Sequence, residues 1–467
     1  MKMFREKARD IPVLEEVDVV VAGGGLTGVI AAISAARNGA KTLLVESNGF
    51  LGGIAALGIP IQGFHDDSNK QIVGGIPWEF IERLIKEGAS PGPFFFDSEE
   101  CAGGSLIKYD HFKLRNIVSD MVSEAGVTLL LHTMAVAPIQ DGNKIRGIVI
   151  ESKSGRQAIL TKAVIDTSGD GDIAAHAGAE FEKGNAQGFL QPVTVIFRIS
   201  NVDMREFLGD VDKHPEKYLL KDPNPNYWEK YRKGERKGIN GLKKLCEEAK
   251  VRGDYDMPNP LVAIACLPQE GEVIVNMAHV KLVDVTDTKD LTKAEITGNN
   301  YVWKTMNFLR KYVKGFKNAR VSDVAPFIGI RETRRIIGEY TLNENDMLAC
   351  KKFGDRIARG ARGVDIHDPT PDSSQSCRSM YMRFPKGYYI PYRCLVPKKL
   401  ENILVAGRCI SVSYRAFGST RVMAQCMATG QAAGTAAALS IKENSTVRKI
   451  NIDKLQDRLR KDKAIID

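Results

Sequence analysis

Apolar and polar positions change their period several times along this chain. Residues 17–46, VDVVVAGGGLTGVIAAISAARNGAKTLLVE, hold a short apolar strand, a glycine turn, a small-residue helix and a second apolar strand, the order of a βαβ unit. Residues 72–87 take helical spacing after Pro77, and residues 110–125 form an amphipathic helix with Asp110 as its N-cap. Three runs at 127–139, 143–152 and 156–169 read as strands joined by turns at Asp141-Gly142 and Ser154-Gly155, which makes a β-meander.

From about residue 185 to 320 the βα rhythm stops. PVTVIFRIS (192–200) and GEVIVNMAHVKLVDV (271–285) are expected to pair as antiparallel strands, and residues 293–312 are helical. In the next stretch, 321–340, a helix would put Arg331 on one face with Arg334 or Arg335, able to grip a carboxylate, and exposed arginines paired to Glu332 and Glu339 are an equal alternative. YYIPYRCLVP is a strand with a proline break, and NILVAGR (402–408) is a buried strand running into Gly407, followed by a small-residue helix. This second strand–glycine–helix, about 380 residues after the first, makes the nucleotide domain discontinuous.

The expected fold is therefore α/β, a doubly wound parallel sheet plus β-meander with an inserted α+β substrate domain. Its parts are residues 1–184, a substrate or cap domain at 185–320, a return and connection at 321–400, and a closing strand and C-terminal helix at 401–467.

Gly23, Gly25 and Gly28 supply G-x-G-x-x-G between the first strand and helix. The first turns the chain, the second lets a pyrophosphate approach the backbone, and the third lets the helix pack on the strand. The helix N-terminus then favours an anion without a basic side chain. Glu46, 18 residues after Gly28, stands where an acid accepts hydrogen bonds from a ribose and disfavours a 2′-phosphate. Gly52 and Gly53 sit in a small-residue loop that can approach the same ligand. DTSGDGD (166–172) brings Asp166, Asp170 and Asp172 to a strand's carboxyl end, where ribose hydroxyls, an Asx-turn and a helix cap are all open roles. His65, in the polar turn HDDSN, reads as a surface or rim histidine, and His367 lies between acidic residues.

With 467 residues, 43% of them hydrophobic, the chain has material for roughly two to three domains. No apolar run is long enough for a membrane span, and the charged first sixteen residues lack a signal-peptide core, so a cytoplasmic location is expected. Eight scattered cysteines contain no C-x-x-C, which argues against a redox disulfide, a zinc knuckle or a cluster and for buried small hydrophobes. The net charge of +9 is concentrated in a basic insertion at 217–252, with 11 Lys/Arg against 5 Asp/Glu. With few aromatics and no RNA-binding motif there, a solvated helical segment is favoured over a nucleic-acid surface.

Taken together, GGGLTG, GFLGG, DTSGDGD, GIRETRRIIGEY, VDIHDP, IPYRCLVP and LVAGRCIS with GQAAGTAAAL resemble the FAD-dependent oxidoreductases of the glutathione-reductase-like superfamily. More narrowly they resemble the heterodisulfide reductase A-like group. The resemblance implies that Gly23, Gly25 and Gly28 bind FAD pyrophosphate, Glu46 the adenosine ribose, and the Val136 backbone the adenine. Asp170 or Asp172 and Gly407-Arg408 would approach the pyrophosphate or ribityl region, with Arg421 and Val422 near the flavin's pyrimidine edge. The iron–sulfur clusters of some relatives are not transferred, because closely spaced cysteines are missing, so no metal is expected.

The expected function is hydride transfer between flavin N5 and a small, anionic organic substrate, with Arg331 and Arg334 as anion clamps and His367 as general acid or base. The electron acceptor is open, and a homo-oligomer is compatible. The alternatives are an NAD-dependent dehydrogenase on the same fingerprint and a tRNA-associated flavoprotein using residues 217–252.

Overall fold

The computed structural model describes residues 3–4, 7–95, 104–218, 238–258, 262–267, 269–370 and 382–467. Residues 219–237 of the basic insertion, with Cys101 and Cys377, lie outside the described residues.

The first strand, β1 (Val13–Ala22), ends in a β-branched run that is fully buried at Val19, Val20 and Val21. It passes through the glycine turn into α1 (Leu26–Arg37) and returns as β2 (Thr42–Val45), parallel to β1. Asp110 caps α2 (His111–Glu124) by accepting from the Phe112 and Lys113 amides. Then come β3 (Thr128–Leu130), β4 (Met134–Asp141), β5 (Lys144–Ser152) and β6 (Gly155–Asp166). In the sheet their order is β3-β2-β1-β6-β5-β4.

The run at 127–139 is not one strand of the meander. His132, at φ 51°, breaks it, so β3 joins β2 in parallel while the meander proper is β4-β5-β6. The far edge of β6 is shared: β5 pairs its first half, residues 155–160, and a late strand, β12 (Ile403–Val405), takes residues 164–166. The chain thus returns to its first sheet after more than two hundred residues elsewhere.

That return is fixed by helix packing. The long helix α4 (Met423–Lys442) is built of small residues and lies so close on α1 that a Cβ on Gly434 would be 2.1 Å from the Ala31 carbonyl oxygen. Ser34 Oγ seals the contact by bonding the Gln431 carbonyl at 3.0 Å and Thr435 Oγ1 at 2.9 Å.

The intervening chain builds a second, antiparallel sheet, ordered β8 (Gly238–Gly241), β9 (Val262–Cys266), β10 (Val273–Val280), β7 (Val193–Ser200), β11 (Arg320–Val324). The expected pairing of 192–200 with 271–285 is seen, from Val193 opposite Val280 to Ile199 opposite Val273. Alternation along β7 sends Val193, Val195, Phe197 and Ile199 under the helix α3 (Thr288–Tyr312). Ile196, on the other face, clusters with Leu267 and Ile274, and Ile54 and Ile59 from the glycine loop pack against them. The sheet therefore lies over the glycine-rich loop of the first sheet. One apolar core draws on residues 17–179 and 336–466, and a second on residues 193–328.

Two further expectations fail locally. Residues 331–336 are not helical: Arg331 lies in an irregular segment, and Arg334–Ile336 is a short strand paired with Phe181–Lys183. Neighbours on a strand face opposite ways, so Arg334 turns to Asp172 while Arg335 turns inward to Glu332. His65 is not on the surface or rim; it is buried, with Nδ1 2.7 Å from Ser105 Oγ and its ring edge-on to Trp78 and Phe95.

Candidate functional site

Parallel register brings the carboxyl ends of several strands to one edge. Ala22 of β1 lies beside Val45 of β2 and Asp166 of β6, and Asp166 lies beside Val405 of β12. The glycine turn, Glu46, the 166–172 turn and Gly407 all leave from this edge, the usual place for a ligand in an open α/β sheet.

The three fingerprint glycines differ in what surrounds them. Gly23 holds φ 109°, and a Cβ there would be 2.6 Å from the Thr167 carbonyl oxygen. A Cβ on Gly28 would be 1.8 Å from the Gly23 carbonyl oxygen, so no larger residue lets α1 start this close to β1. A Cβ on Gly25 meets nothing within 4 Å. The backbone is crowded by protein at the outer two positions and open at the middle one, which is the position that approaches a pyrophosphate. Helix α1 starts at Gly25 with no side-chain cap and no acid in its first turn, leaving its N–H groups to an anion. Gly52, at φ 104°, donates to the Gly24 carbonyl at 2.9 Å and holds the 52–53 loop against the turn.

Glu46 is buried. Its Oε2 accepts the Gly24 amide at 2.7 Å, and its Oε1 accepts from the Asn48 amide and side chain and from Ser47. Oε2 retains a lone pair for one more donor. Val136 falls at a register shift between Ala135 and Ala137, so it has no cross-strand partner.

The three aspartates of the turn divide their roles. Asp166 is fully buried and accepts from Ser168 N, Ser168 Oγ and Ala174 N, an Asx-turn and helix cap in one; burial pushes its carboxyl up. Asp170 accepts from Arg408 Nη2 at 2.6 Å and Thr333 Oγ1 at 2.8 Å. Asp172 accepts from Arg334 Nη1 at 2.7 Å. Arg408 follows Gly407, whose amide donates to Thr429 Oγ1 on α4 at 3.0 Å.

At the start of α4, Val422 is the N-cap and supplies no side-chain bond to the free amides. Arg421 beside it donates to the Asp365 carbonyl at 2.7 Å, and the Asp365 amide donates to the Gly418 carbonyl at 3.1 Å. This ties the irregular strap at 361–370, which carries His367, to the residues just before α4. His367 N donates to Gln191 Oε1 at 3.0 Å, and Gln191 N and Nε2 reach Glu332 Oε2. Glu332 pairs in turn with buried Arg335.

Arg331 and Arg334 are not brought together. Both terminal nitrogens of Arg331 are directed at protein atoms: Pro192 O and Thr194 Oγ1 for Nη1, Asn276 Oδ1 and His279 Nε2 for Nη2. Arg334 is held by Asp172 and the Asp170 carbonyl and stands 5.4 Å from the Phe181 ring. His279 was missed in the sequence. Its signal is faint: a histidine and Asn276 in an apolar strand, on the face opposite Val273 and Val275, with a register shift between them. Among the described residues no group of three His, Cys, Asp or Glu side chains is gathered to hold a metal, and no helix is long and apolar enough to cross a membrane.

A parallel sheet with this glycine turn, an acid just past the second strand and two uncapped helix starts near one edge defines an α/β nucleotide-binding protein. The chain belongs to the FAD dependent oxidoreductase family, whose model matches residues 18–459. It is thus an enzyme, a flavoprotein oxidoreductase that uses FAD. Over 171 residues it is 29% identical to the digeranylgeranylglycerophospholipid reductase of Methanocaldococcus jannaschii, covering 36% of this chain and 41% of that one. The match spans about two fifths of that relative's length. Among solved structures, it is similar to a geranylgeranyl bacteriochlorophyll reductase-like protein of Thermoplasma acidophilum, at 14% identity and a TM-score of 0.45, over 97% of this chain and 84% of the other. It is also similar to the p-nitrophenol 4-monooxygenase of Pseudomonas putida, at 11% identity and a TM-score of 0.44, over 93% and 83%. Likeness at that level adds nothing to what the family match establishes.

Proposed function

We propose that this enzyme exchanges a hydride with a small organic substrate, and that the substrate meets the flavin where the second sheet lies over the glycine loop. Bound at the site, FAD supplies a two-electron acceptor and donor at flavin N5. The single observation that carries the reading is the contrast between the crowded Gly23 and Gly28 and the open Gly25. That pattern fits a pyrophosphate laid along the start of α1, with Glu46 Oε2 accepting from the ribose and the Val136 backbone meeting the adenine.

In the same reading, Asp170 and Arg408 flank the pyrophosphate or ribityl chain. Arg421 and Val422 lie toward the pyrimidine edge, where the start of α4 favours developing negative charge. His367 moves a proton to or from the substrate. Because Arg331 and Arg334 are committed to protein acceptors, they serve as positioning residues, and no substrate anion is called for. Residues 1–184 and 401–467 then form the FAD-binding unit of a glutathione-reductase-like fold, and residues 185–320 carry the sheet that covers the substrate. A closer kinship with the heterodisulfide reductase A-like group is part of this proposal for the flavin motifs alone, and a cytoplasmic location goes with it.

Anaerobic mixing with a panel of small alcohols, amines and acids tests it. Bleaching of the flavin band by one class, slowed by His367→Asn without loss of bound FAD, is the expected result. Bleaching that His367→Asn leaves at full rate removes this histidine from the reaction.

A further inference from the structure

His279 and His367 come from unrelated parts of the chain, strand β10 and the strap at 361–370, yet their rings stack 5.2 Å apart at 30°. Hydride exchange with a flavin does not by itself require two stacked histidines, so their protonation states matter.

His279 is 6% exposed, with Nε2 3.2 Å from Arg331 Nη2. A guanidinium only donates, so Nε2 carries the lone pair and the ring proton sits on Nδ1. Arg331 cannot easily turn away, because its other contacts include Pro192 O, Thr194 Oγ1 and Asn276 Oδ1. On the second ring, Asp365 Oδ1 stands 3.6 Å from His367 Nε2, while His367 Nδ1 is buried and has no hydrogen-bond partner among the described residues. The carboxylate favours the proton on Nε2, which leaves the lone pair on Nδ1. Asp365 is itself fixed by Arg421, whose Nη2 lies 2.7 Å from its carbonyl and 3.5 Å from its carboxylate.

The charged and titratable groups around His367 are Arg331, Arg421 and His279, which oppose its protonation, and Asp365, which favours it. Burial acts first and in the same direction as the cations, holding its pKa well below the ordinary histidine value. A neutral imidazole with one unengaged lone pair, and a carboxylate 3.6 Å from its other nitrogen, can take up a proton at Nδ1.

We propose that His367 Nδ1 is the atom that takes the substrate's proton, and that His279, locked by Arg331 as the Nδ1–H tautomer, is the positioning residue that holds it in place. This rests on the redox reading above and narrows it to a substrate class: an alcohol or amine whose carbon bears a hydrogen. With FAD bound, the flavin would be the oxidant that takes the hydrogen of that C–H bond with both bonding electrons. The O–H or N–H bond breaks, its electrons form the C=O or C=N bond, and the proton goes to His367 Nδ1 and then to solvent.

The test is ring-15N histidine NMR on the flavin-loaded protein, with assignments from His279→Asn and His367→Asn, between about pH 5 and 8, where a free histidine titrates. His279 should show the Nδ1–H tautomer throughout, and His367 should stay neutral. In Arg331→Met the His279 tautomer should become mixed and the His367 titration should move up in pH, with partial recovery in Arg331→Lys, which restores a donor and a charge. His279 as the Nε2–H tautomer, or His367 titrating at its ordinary value, overturns the proposal while leaving the flavin reading intact. A protein that holds no flavin overturns the redox reading and this proposal with it.

Discussion

Adding one methyl group at Gly25 or at Gly28 should have opposite effects, and the difference can be worked from the surroundings of each. Gly25 has φ −62° and ψ 171°, a conformation open to any residue, and its Cβ would meet no protein atom within 4 Å. Gly25→Ala should therefore leave the flavin-free fold unharmed, or stabilise it by about 0.4–1 kcal/mol through the unfolded chain. The same methyl stands where the pyrophosphate approaches, so FAD affinity should fall by about 10-fold or more, roughly 1.4 kcal/mol. At Gly28 the methyl would lie 1.8 Å from the Gly23 carbonyl oxygen and 2.6 Å from Thr167 Oγ1. Backbone atoms cannot step aside as a side-chain tip can, so the start of α1 must lift off the turn. Overpacking of this kind costs about 1–3 kcal/mol, occasionally more, and this site belongs at the upper end. At about 2.1 cal/mol/K of unfolding entropy per residue, a chain of 467 residues shifts by about 1 °C per kcal/mol, so Gly28→Ala should lower the melting temperature by roughly 3 °C. The assay is thermal unfolding of flavin-stripped protein, which separates fold from ligand stabilisation, with FAD fluorescence titration alongside. A Gly25→Ala protein that binds FAD as tightly as wild type, or a Gly28→Ala protein that melts normally, would refute the reasoning.

Three further outcomes follow from buried groups and close packing. Arg335→Met leaves Glu332, 1% exposed, without its cation and should cost about 3–5 kcal/mol in urea unfolding, much of it recovered by pairing the change with Glu332→Leu. His111 is buried beside Arg198 and Arg115, and burial first, then those cations, lower its pKa from 6.5 to about 4. Its unfolded form binds a proton more readily, so its neutral burial supports the fold above pH 6.5, and stability should drain away as pH falls from there toward 4. Melting curves of His111→Leu should be flatter across that window, and an unchanged slope would exclude the histidine as the cause. Gly434→Val wedges α4 from α1, where a Cβ would already be 2.1 Å from the Ala31 carbonyl oxygen, and should lower the melting temperature more than Gly354→Val, whose Cβ meets nothing.

The parts of the fold legible in the sequence are those whose signal is local. Gly23, Gly25 and Gly28 follow an apolar strand and open a helix, and each spacing has its own steric cause, visible as crowding or open space. The late return of the chain was legible in a second apolar strand before a small-residue helix, and β12 takes its place on β6 as that pattern suggests. What was not legible depends on partners far away in sequence. His65 looks like a turn residue until Ser105, forty positions on, closes over it. Arg331, Arg334 and Arg335 look like one cationic face, yet Thr194, Asp172 and Glu332 draw them three different ways. The break at His132 depends on a left-handed residue within an apolar run, which hydrophobic periodicity does not register. His279 acquires its meaning only when the strap at 361–370 brings His367 against it.

The most direct test is the absorption spectrum of the purified protein, read before and after anaerobic addition of reducing substrates drawn from the alcohol and amine classes. Flavin bands that one such class bleaches fully, with one molecule of carbonyl or imine product for each flavin reduced, are the predicted result. A protein that shows no flavin band even after incubation with FAD, or a bound flavin that no member of either class can bleach, would contradict it.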